Sequence, residues 1–215
     1  MNYCTITPDR GDRGQLFEYC IKQLVKMNGG KPPVNAYIMN ERPVSDAVDL
    51  IPRIREGFNK AKADGFEFVF IIESDDFYPT NYFSLFGDMP NVDFVGFSST
   101  TYYNIRNKTF EILKHKDRSS LFCTGFRISA LDKFNWPNDN EKFLDVRLWE
   151  YAQRMGKRVR LIEDNPCVGI KHGIGKCAGK GHVMQLKNQD NNLHFFQSIV
   201  DTESFEFYKQ LMKTI

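Results

Sequence analysis

Three acidic side chains follow one hydrophobic segment of the chain and are suited to binding a metal ion together. The segment 66–72 is rich in aromatic and β-branched residues, and it is followed at once by Glu73, Asp75 and Asp76. Carboxylates this close in sequence repel one another and require a compensating cation or basic side chain. Carboxylate oxygens are preferred ligands of Mg²⁺ and Mn²⁺. The pattern predicts a divalent-metal site, and the alternative is a polar loop in which Asp76 caps a turn.

The segment before these acids has the pattern of a central strand in a parallel sheet. Such strands are buried on both faces and are therefore hydrophobic at nearly every position. The preceding chain alternates between strand and helix patterns, which predicts an α/β fold with right-handed crossovers. Ligands of open α/β sheets bind beyond the carboxyl ends of the strands. The fold class therefore places the three acids at a ligand site.

The predicted elements give a sheet that is parallel in its first half and mixed in its second. Strands are predicted at Tyr3–Ile6, Val34–Met39, Phe66–Ile72, Phe94–Phe97, Thr101–Ile105, Thr109–Leu113, Phe122–Ile128 and Val159–Ile162. Helices are predicted at Gly14–Met27, Val48–Ala63, Asp145–Met155 and Ser204–Met212, the last one capped at Ser204. The short turn at 106–108 predicts an antiparallel hairpin.

Composition favours one globular domain in a reducing compartment. The 215 residues can bury one substantial core. The net charge of +2 is too balanced to indicate non-specific binding to nucleic acid. No segment approaches the length of a membrane span and no apolar leader is present, which predicts a cytoplasmic protein without a membrane span. The five dispersed cysteines fit reduced thiols better than disulfides.

The loop between the first predicted strand and the first predicted helix is a second candidate ligand site. It contains Arg10 and Arg13 immediately before the helix begins. Guanidinium groups and a helix N-terminus together suit a diphosphate. The alternative is a solvated cluster in which the two arginines pair with Asp9 and Asp12.

Two further residues have a functional and a structural interpretation. Arg55 lies on the second predicted helix together with Arg53 and Asn59, where a basic residue could reach a phosphate or one of the carboxylates, or lie on a solvent-facing surface. Asp145 lies at the start of the third predicted helix. It is either an N-cap or a general base that faces an acceptor hydroxyl in the same cleft.

The C-terminal part of the chain contains a glycine- and lysine-rich segment with histidines and cysteines. Cys167, His172, Cys177 and His182 are regularly spaced, but zinc sites favour closer cysteine pairs. His172 as one ligand of a carboxylate-bound ion is the preferred interpretation, and a polar loop histidine is the alternative. The segment 173–182 is typical either of a basic lid that closes over phosphates or of a solvated linker.

Taken in order, these features resemble the GT-A-fold nucleotide-sugar glycosyltransferases, most closely those of family 2. The loop with Thr7, Pro8 and Arg13 is similar to the nucleotide loop of that family. The segment from Glu73 to Asp75 resembles its DxD motif, with Glu in the first position. The resemblance covers about residues 1–182 and predicts a single-domain mixed α/β sheet flanked by helices.

The resemblance implies roles for individual residues. Mn²⁺ or Mg²⁺ would be bound by Asp75, with Asp76 and His172 as further ligands, and Asp145 would be the base of an inverting reaction. The donor would be bound by Thr7, Pro8, Arg10, Arg13, Arg55, Glu73 and Lys176. A nucleotide-binding half would comprise residues 1–100, an acceptor half residues 101–182 and a C-terminal tail residues 183–215.

The function implied is metal-dependent transfer of a sugar from a nucleotide-diphosphate sugar to a hydroxyl acceptor. The acceptor class is open among a glycan, a small molecule and a modified DNA base. Two other classes stay open as well. One is a sugar-phosphate nucleotidyltransferase, and the other is a non-catalytic module that binds nucleotides or carbohydrates.

Overall fold

Two sheets and five α-helices make up the computed structural model over the residues it describes, which are 2–32, 35–41, 49–175 and 185–215. The strands are β1 (Tyr3–Pro8), β2 (Ala36–Met39), β3 (Phe68–Ile71), β4 (Phe94–Phe97), β5 (Ser99–Asn104), β6 (Thr109–Lys114), β7 (Gly125–Arg127), β8 (Val159–Ile162), β9 (Val168–Lys171) and β10 (Asn188–Gln189). The helices are α1 (Gly14–Met27), α2 (Leu50–Ala63), α3 (Leu144–Arg154), α4 (His194–Ile199) and α5 (Thr202–Leu211).

The larger sheet is mixed, as the sequence predicts. Its strand order is β2-β1-β3-β7-β4-β8. β1 pairs in parallel with both β2 and β3, whereas β7 runs antiparallel to its neighbours β3 and β4. The carboxyl ends of β1, β2 and β3 therefore lie along one edge of the sheet. The loop after β1 (residues 9–13) and the three acids both begin at this edge, which is where ligands of α/β sheets bind.

Alternating side chains along β1 and β3 pack against different layers. Ile6 of β1 faces α2, where a Cβ added to Gly57 would lie 2.7 Å from the Ile6 side chain. Phe70 and Ile72 pack instead in the cluster that contains Leu24 of α1. Both layers are apolar, so the strands are buried on both faces and the loops at their carboxyl ends are held firmly.

The smaller sheet lies against the acidic segment. Its strand order is β10-β6-β5-β9, with β9 parallel to β5. Phe77, directly after the acids, exchanges backbone hydrogen bonds with Val168 of β9. The C-terminal helices pack on this side of the molecule, where Tyr19 of α1 and Ser204 of α5 share a hydrogen bond of 2.6 Å.

Most predicted elements are confirmed, with two errors. The bounds of α1, β4 and β8 agree with the prediction, and β5 and β6 form the predicted hairpin. The predicted strand Phe122–Ile128 is wrong outside β7, because 3₁₀ turns occupy Leu121–Cys123 and Ile128–Leu131. The cap of the last helix is Asp201, whose carboxylate accepts the Ser204 N–H at 2.7 Å.

Parts of two predicted elements, at residues 34 and 48, lie outside the described residues. The helix α4 and the strands β9 and β10 were not predicted. In the part of the chain that the structure describes, none of the helices has the length and hydrophobicity needed to cross a membrane.

Candidate metal and nucleotide site

The three predicted acids form one compact group beyond the end of β3. Glu73, Asp75 and Asp76 each offer a carboxylate oxygen, and these atoms all lie within 4.8 Å of one another. Asp75 is 4% and Asp76 3% exposed. Three carboxylates that share one small, mostly buried space match the ligand chemistry of a hard divalent cation.

Hydrogen bonds to other elements fix this group in place. The Asp76 carboxylate accepts the N–H of Ile170 in β9 at 2.8 Å. The Tyr78 hydroxyl accepts the N–H of Glu73 at 2.9 Å and donates to the carbonyl oxygen of Phe122 at 3.1 Å. Gln23 of α1 donates to the carbonyl oxygen of Asp76 at 3.0 Å. The acids therefore cannot move apart without breaking contacts to α1 and to the smaller sheet.

Burial and mutual repulsion make the group hold protons more tightly than isolated acids do. Burial, together with the charge of Asp75, raises the pKa of Glu73 to about 7. The same two causes raise the pKa of Asp76 well above its usual value. Lys171 opposes both shifts. Acids with raised pKa values at such close range indicate a site whose negative charge a cation would stabilise, so the residues fit a divalent metal.

Two basic side chains converge on Asp75. Arg13 donates to Asp75 Oδ2 at 2.6 Å, and His172 Nε2 lies 2.9 Å from the same oxygen. His172 Nδ1 accepts the N–H of Ile174 at 2.9 Å, so the neutral ring carries its hydrogen on Nε2 and donates to Asp75. The solvated pairing of Arg13 with Asp9 or Asp12 is therefore not what the structure shows.

His172 contacts the acids as predicted, but through Asp75. Among the described residues, the group whose ligand atoms lie within 4.8 Å of one another contains the three carboxylates and not this ring. The role of His172 as a metal ligand stays a prediction. Of the zinc pattern, Cys167 and His172 are buried, while Cys177 and His182 lie outside the described residues.

A second group of buried polar atoms lies at the carboxyl end of β1. Thr7 is completely buried and Asp9 is 3% exposed. The Thr7 hydroxyl and one carboxylate oxygen of Asp9 have no hydrogen-bond partner among the described residues. Burial raises the pKa of Asp9, while Arg53 and Arg13 oppose the shift. Buried acceptors without donors are costly, and a bound ligand with N–H or O–H groups would satisfy them.

Charged residues of α2 border this second group. Arg53 is 1% exposed and donates twice to Asp49 Oδ2, at 2.9 and 2.6 Å, and to the carbonyl oxygen of Met39 at 2.8 Å. Arg10 Nε lies 3.9 Å from carboxylate oxygens of both Asp49 and Asp12. The loop after β1 is thus joined to the start of α2 by a network of buried charges.

The structure does not bring Arg55 into this network. Its guanidinium group pairs with exposed Asp139 at 3.0 Å. Successive helix residues are rotated by about 100°, so Arg53 and Arg55 point in nearly opposite directions from α2. Pro8 ends β1 in register with Met39 of β2, and Lys176 lies outside the described residues.

Asp145 lies in the first turn of α3, within electrostatic range of Glu73. The N-cap residue is Phe143, so the interpretation of Asp145 as the N-cap is wrong. Arg118 donates to Asp145 Oδ2 at 2.6 Å. Burial raises the pKa of Asp145, which Arg118 and nearby backbone N–H groups oppose. The charge of Asp145 also contributes to the raised pKa of Glu73, which places the two side chains within electrostatic range.

Sequence reasoning missed two basic residues that interact with Asp145 or with the acids. Arg118 and Lys171 were not predicted, although Lys171 immediately precedes His172. The Lys171 ammonium lies over the ring of Tyr102, 4.7 Å from its centroid. Only the basic character of residues 114–118 gave any signal for Arg118.

Solved structures share this fold at low sequence identity, whereas no protein-family model and no curated sequence matches the chain. TarS 1–349 of S. aureus, in complex with UDP-GlcNAc, matches with a TM-score of 0.54 and 12% identity over 99% of this chain and 70% of that chain. Another TarS structure matches with a TM-score of 0.56 and 12% identity over 79% of this chain, which spans 37% of that longer chain.

A Drosophila β1,4-galactosyltransferase 7 variant, in complex with manganese, UDP-Gal and xylobiose, matches with a TM-score of 0.51 and 12% identity. The match covers 94% of this chain and 82% of that chain. The chain therefore has the GT-A fold of nucleotide-sugar glycosyltransferases, and the fold class predicted from the sequence is confirmed.

Proposed function

We propose that this chain is a metal-dependent glycosyltransferase that moves a sugar from a nucleotide-diphosphate sugar to a hydroxyl acceptor with inversion. The observation that carries the proposal is the compact group of Glu73, Asp75 and Asp76 at the carboxyl end of β3. Arg13 contacts this group through Asp75, and Asp145 of α3 lies within electrostatic range of its Glu73. The complexes of structurally similar proteins with UDP-GlcNAc, and with UDP-Gal and manganese, support the same assignment.

The three carboxylates would hold Mn²⁺ or Mg²⁺, and His172 is the additional predicted ligand. When bound, the cation would offset the negative charge that develops on the departing diphosphate. Arg13 is positioned by its contact with Asp75 to place a second positive charge beside the same phosphates. Metal and arginine would thus act on one part of the donor.

The loop after β1 would bind the nucleoside part of the donor. The Thr7 hydroxyl and the Asp9 carboxylate oxygen would accept hydrogen bonds from N–H or O–H groups of the nucleoside. Arg10 is part of the same buried charge network and would support this loop. Pro8, Glu73 and Lys176 remain predicted donor-binding residues, whereas Arg55 pairs with exposed Asp139 away from this loop.

Asp145 would accept the proton of the attacking acceptor hydroxyl. Its carboxylate is oriented by Arg118 and by backbone N–H groups at the start of α3, which also favour its ionised form. A base on the acceptor side directs attack opposite to the leaving diphosphate, so the anomeric configuration inverts. Arg118 would thereby orient the base and oppose the effect of burial on its pKa.

The test is turnover of UDP-, GDP- and dTDP-sugars with and without Mn²⁺, comparing wild type with Asp75→Asn and with Asp117→Asn as an exposed control acid. We expect hydrolysis or transfer of at least one donor, dependence on metal, and loss in Asp75→Asn only. Binding of a donor without turnover would instead indicate a non-catalytic module. Release of pyrophosphate from a nucleoside triphosphate would indicate a nucleotidyltransferase.

Three further features of the protein stay predictions from the sequence. They are the division of one domain at residues 100 and 182, the cytoplasmic location, and the choice among acceptor classes. None of them affects the chemistry of the three carboxylates.

A further inference from the structure

Asp75 receives two hydrogen bonds on a single carboxylate oxygen. Arg13 Nη1 donates to Oδ2 at 2.6 Å, and His172 Nε2 lies 2.9 Å from the same atom. A carboxylate has roughly four lone-pair sites, two on each oxygen, so the two donors fill Oδ2. A metal ion that used this oxygen would therefore have to displace one of them.

The charges of the two donors decide which one a metal would displace. The His172 ring is neutral, because its Nδ1 accepts the N–H of Ile174, and it is completely buried. Arg13 is a full cation, so a divalent ion beside the acids would repel it whichever oxygen of Asp75 the ion used. Repulsion by the metal thus acts on Arg13 and not on His172.

Arg13 lies within electrostatic range of the whole acidic group. Burial lowers the pKa of Arg13, but the nearby acids outweigh burial and raise it above its usual value. These acids are Asp75, Asp12, Glu73 and Asp76. A cation that stabilises three carboxylates in this way weakens the binding of a second cation to them. Arg13 is therefore a counter-charge with which the metal competes.

The position of Arg13 gives its guanidinium group a second partner when it leaves Asp75. Arg13 is the N-cap residue of α1, at the end of the loop after β1. Its side chain is 15% exposed, and its buried Nε has no hydrogen-bond partner among the described residues. Guanidinium groups bind phosphate oxygens through parallel N–H groups, and a helix N-terminus attracts the same oxygens. A diphosphate beside the metal would satisfy both.

We propose that Arg13 is exchanged between Asp75 and the donor diphosphate, so that metal and donor bind cooperatively. The proposal rests on the function proposed above, which it deepens by naming how binding at that site is regulated. Before metal binds, the pair with Asp75 withholds Arg13 from the phosphates. Metal binding breaks this pair, and the diphosphate then contacts both Arg13 and the metal. Because coupling between two ligands is reciprocal, the diphosphate tightens metal binding by the same factor.

Mn²⁺ binding without nucleotide tests the exchange independently of catalysis. Isothermal titration calorimetry would compare wild type with Arg13→Gln. We expect the variant to bind Mn²⁺ at least tenfold more tightly, because the competing ion pair with Asp75 is absent. Loss of a catalytic or structural contact alone would not tighten metal binding, so the sign of the change is specific to the exchange.

Two variants that also remove one positive charge are the controls. Lys171 opposes the raised pKa of Glu73, but its ammonium lies over the ring of Tyr102. Lys171→Gln should therefore tighten Mn²⁺ binding less than threefold. Lys26 pairs with Glu203 in the last turn of α1, and Lys26→Gln should bind Mn²⁺ like wild type.

The titrations are then repeated with UDP, GDP and dTDP. We expect at least one of them to tighten Mn²⁺ binding by wild type, and the factor to be at least threefold smaller in Arg13→Gln. Equal or weaker Mn²⁺ binding by Arg13→Gln without nucleotide, or an equal gain in Lys171→Gln, would overturn the exchange alone. Absence of Mn²⁺ binding by wild type would contradict the proposed metal-dependent function as well.

Chemical modification of wild type tests the exchange without any variant. Phenylglyoxal reacts with guanidinium groups, and peptide mass spectrometry measures the reaction of each arginine separately. We expect Mg²⁺ to raise the modification rate of Arg13 at least threefold, and the nucleotide that tightens Mn²⁺ binding to lower it again. Arg55, which pairs with exposed Asp139, is the internal control and should react at one rate throughout. A modification rate of Arg13 that Mg²⁺ leaves unchanged would overturn the exchange.

Discussion

The acidic group after β3 and the surface loop at residues 135–143 before α3 are built in opposite ways. Asp75 and Asp76 are almost completely buried, and Asp76 is bonded to the backbone of a different sheet. Phe143 is exposed, and its loop is held by side-chain pairs at the surface. Strand ends within a packed core fix charges at short range, as metal and diphosphate chemistry requires. A surface loop can change its side chains without disturbing that core.

The largest effect is expected for Asp145, which follows the surface loop in sequence and lies within electrostatic range of the acids. Asp145→Asn keeps the shape of the side chain but removes the base, so we expect the rate of transfer to fall about 10²–10⁴-fold. Donor binding should stay within about twofold of wild type, because the acids of β3 are untouched. Steady-state transfer kinetics and donor titrations measure both quantities. A rate unchanged in Asp145→Asn and in the control Asp117→Asn alike would remove Asp145 from the mechanism.

Arg53 and Arg55 of α2 allow a buried charge and a surface charge to be compared directly. Arg53→Ala would leave Asp49 and the Met39 carbonyl oxygen without their buried donors. We expect the free energy of unfolding to fall by about 3–5 kcal/mol, since one partner of a buried ion pair is removed. Arg55→Ala breaks only the surface pair with Asp139 and should cost less than about 1 kcal/mol. Urea unfolding of both variants tests this, and equal losses would contradict it.

The raised pKa of Glu73 predicts that stability depends on pH. The group binds its proton more tightly in the folded chain, with a pKa of about 7, than in the unfolded chain, where the ordinary value is 4.5. The folded state therefore holds more protons between these values, and the free energy of unfolding should fall as pH rises from about 4.5 to 7. Glu73→Gln should flatten this dependence in metal-free buffer. Identical pH profiles for wild type and variant, measured by thermal unfolding, would show that Glu73 does not titrate in this range.

The smallest effect on stability is expected in the surface loop before α3. Phe143→Ala removes a mostly exposed ring, so the free energy of unfolding should change by no more than about 0.5 kcal/mol. Ile112→Ala should behave in the same way. A loss of more than 2 kcal/mol in Phe143→Ala, measured by urea unfolding, would mean that the ring supports the fold.

The buried region was easier to predict from the sequence than the rest. The hydrophobic segment before Glu73 has the pattern of a central strand. The position of the acids at a ligand-binding edge then follows from the geometry of the sheet. Arg13 was assigned to the site for the same reason. Its contact with Asp75, by contrast, depends on the pairing of β1 with β3, which links residues 62 positions apart.

Residues whose roles depend on tertiary packing were missed or misplaced. Arg53 and Arg55 are indistinguishable in sequence, and only the direction in which α2 packs makes one buried and the other exposed. Arg118 pairs with Asp145 across 27 residues and an irregular loop. The strand predicted at 122–128 failed because its apolar residues pack equally well in 3₁₀ turns, which hydrophobic periodicity does not distinguish over so few residues.

In the proposed function, Glu73, Asp75 and Asp76 bind a divalent cation, and this cation in turn binds the diphosphate of the donor. The most direct measurement is electron paramagnetic resonance of Mn²⁺ titrated with wild type and with Asp75→Asn, each with and without UDP-, GDP- and dTDP-sugars. We expect wild type to remove one equivalent of free Mn²⁺ signal, more tightly when the preferred donor is present, and Asp75→Asn to bind at least tenfold more weakly. Equal Mn²⁺ binding by the two proteins, or no donor effect in wild type, would contradict the account.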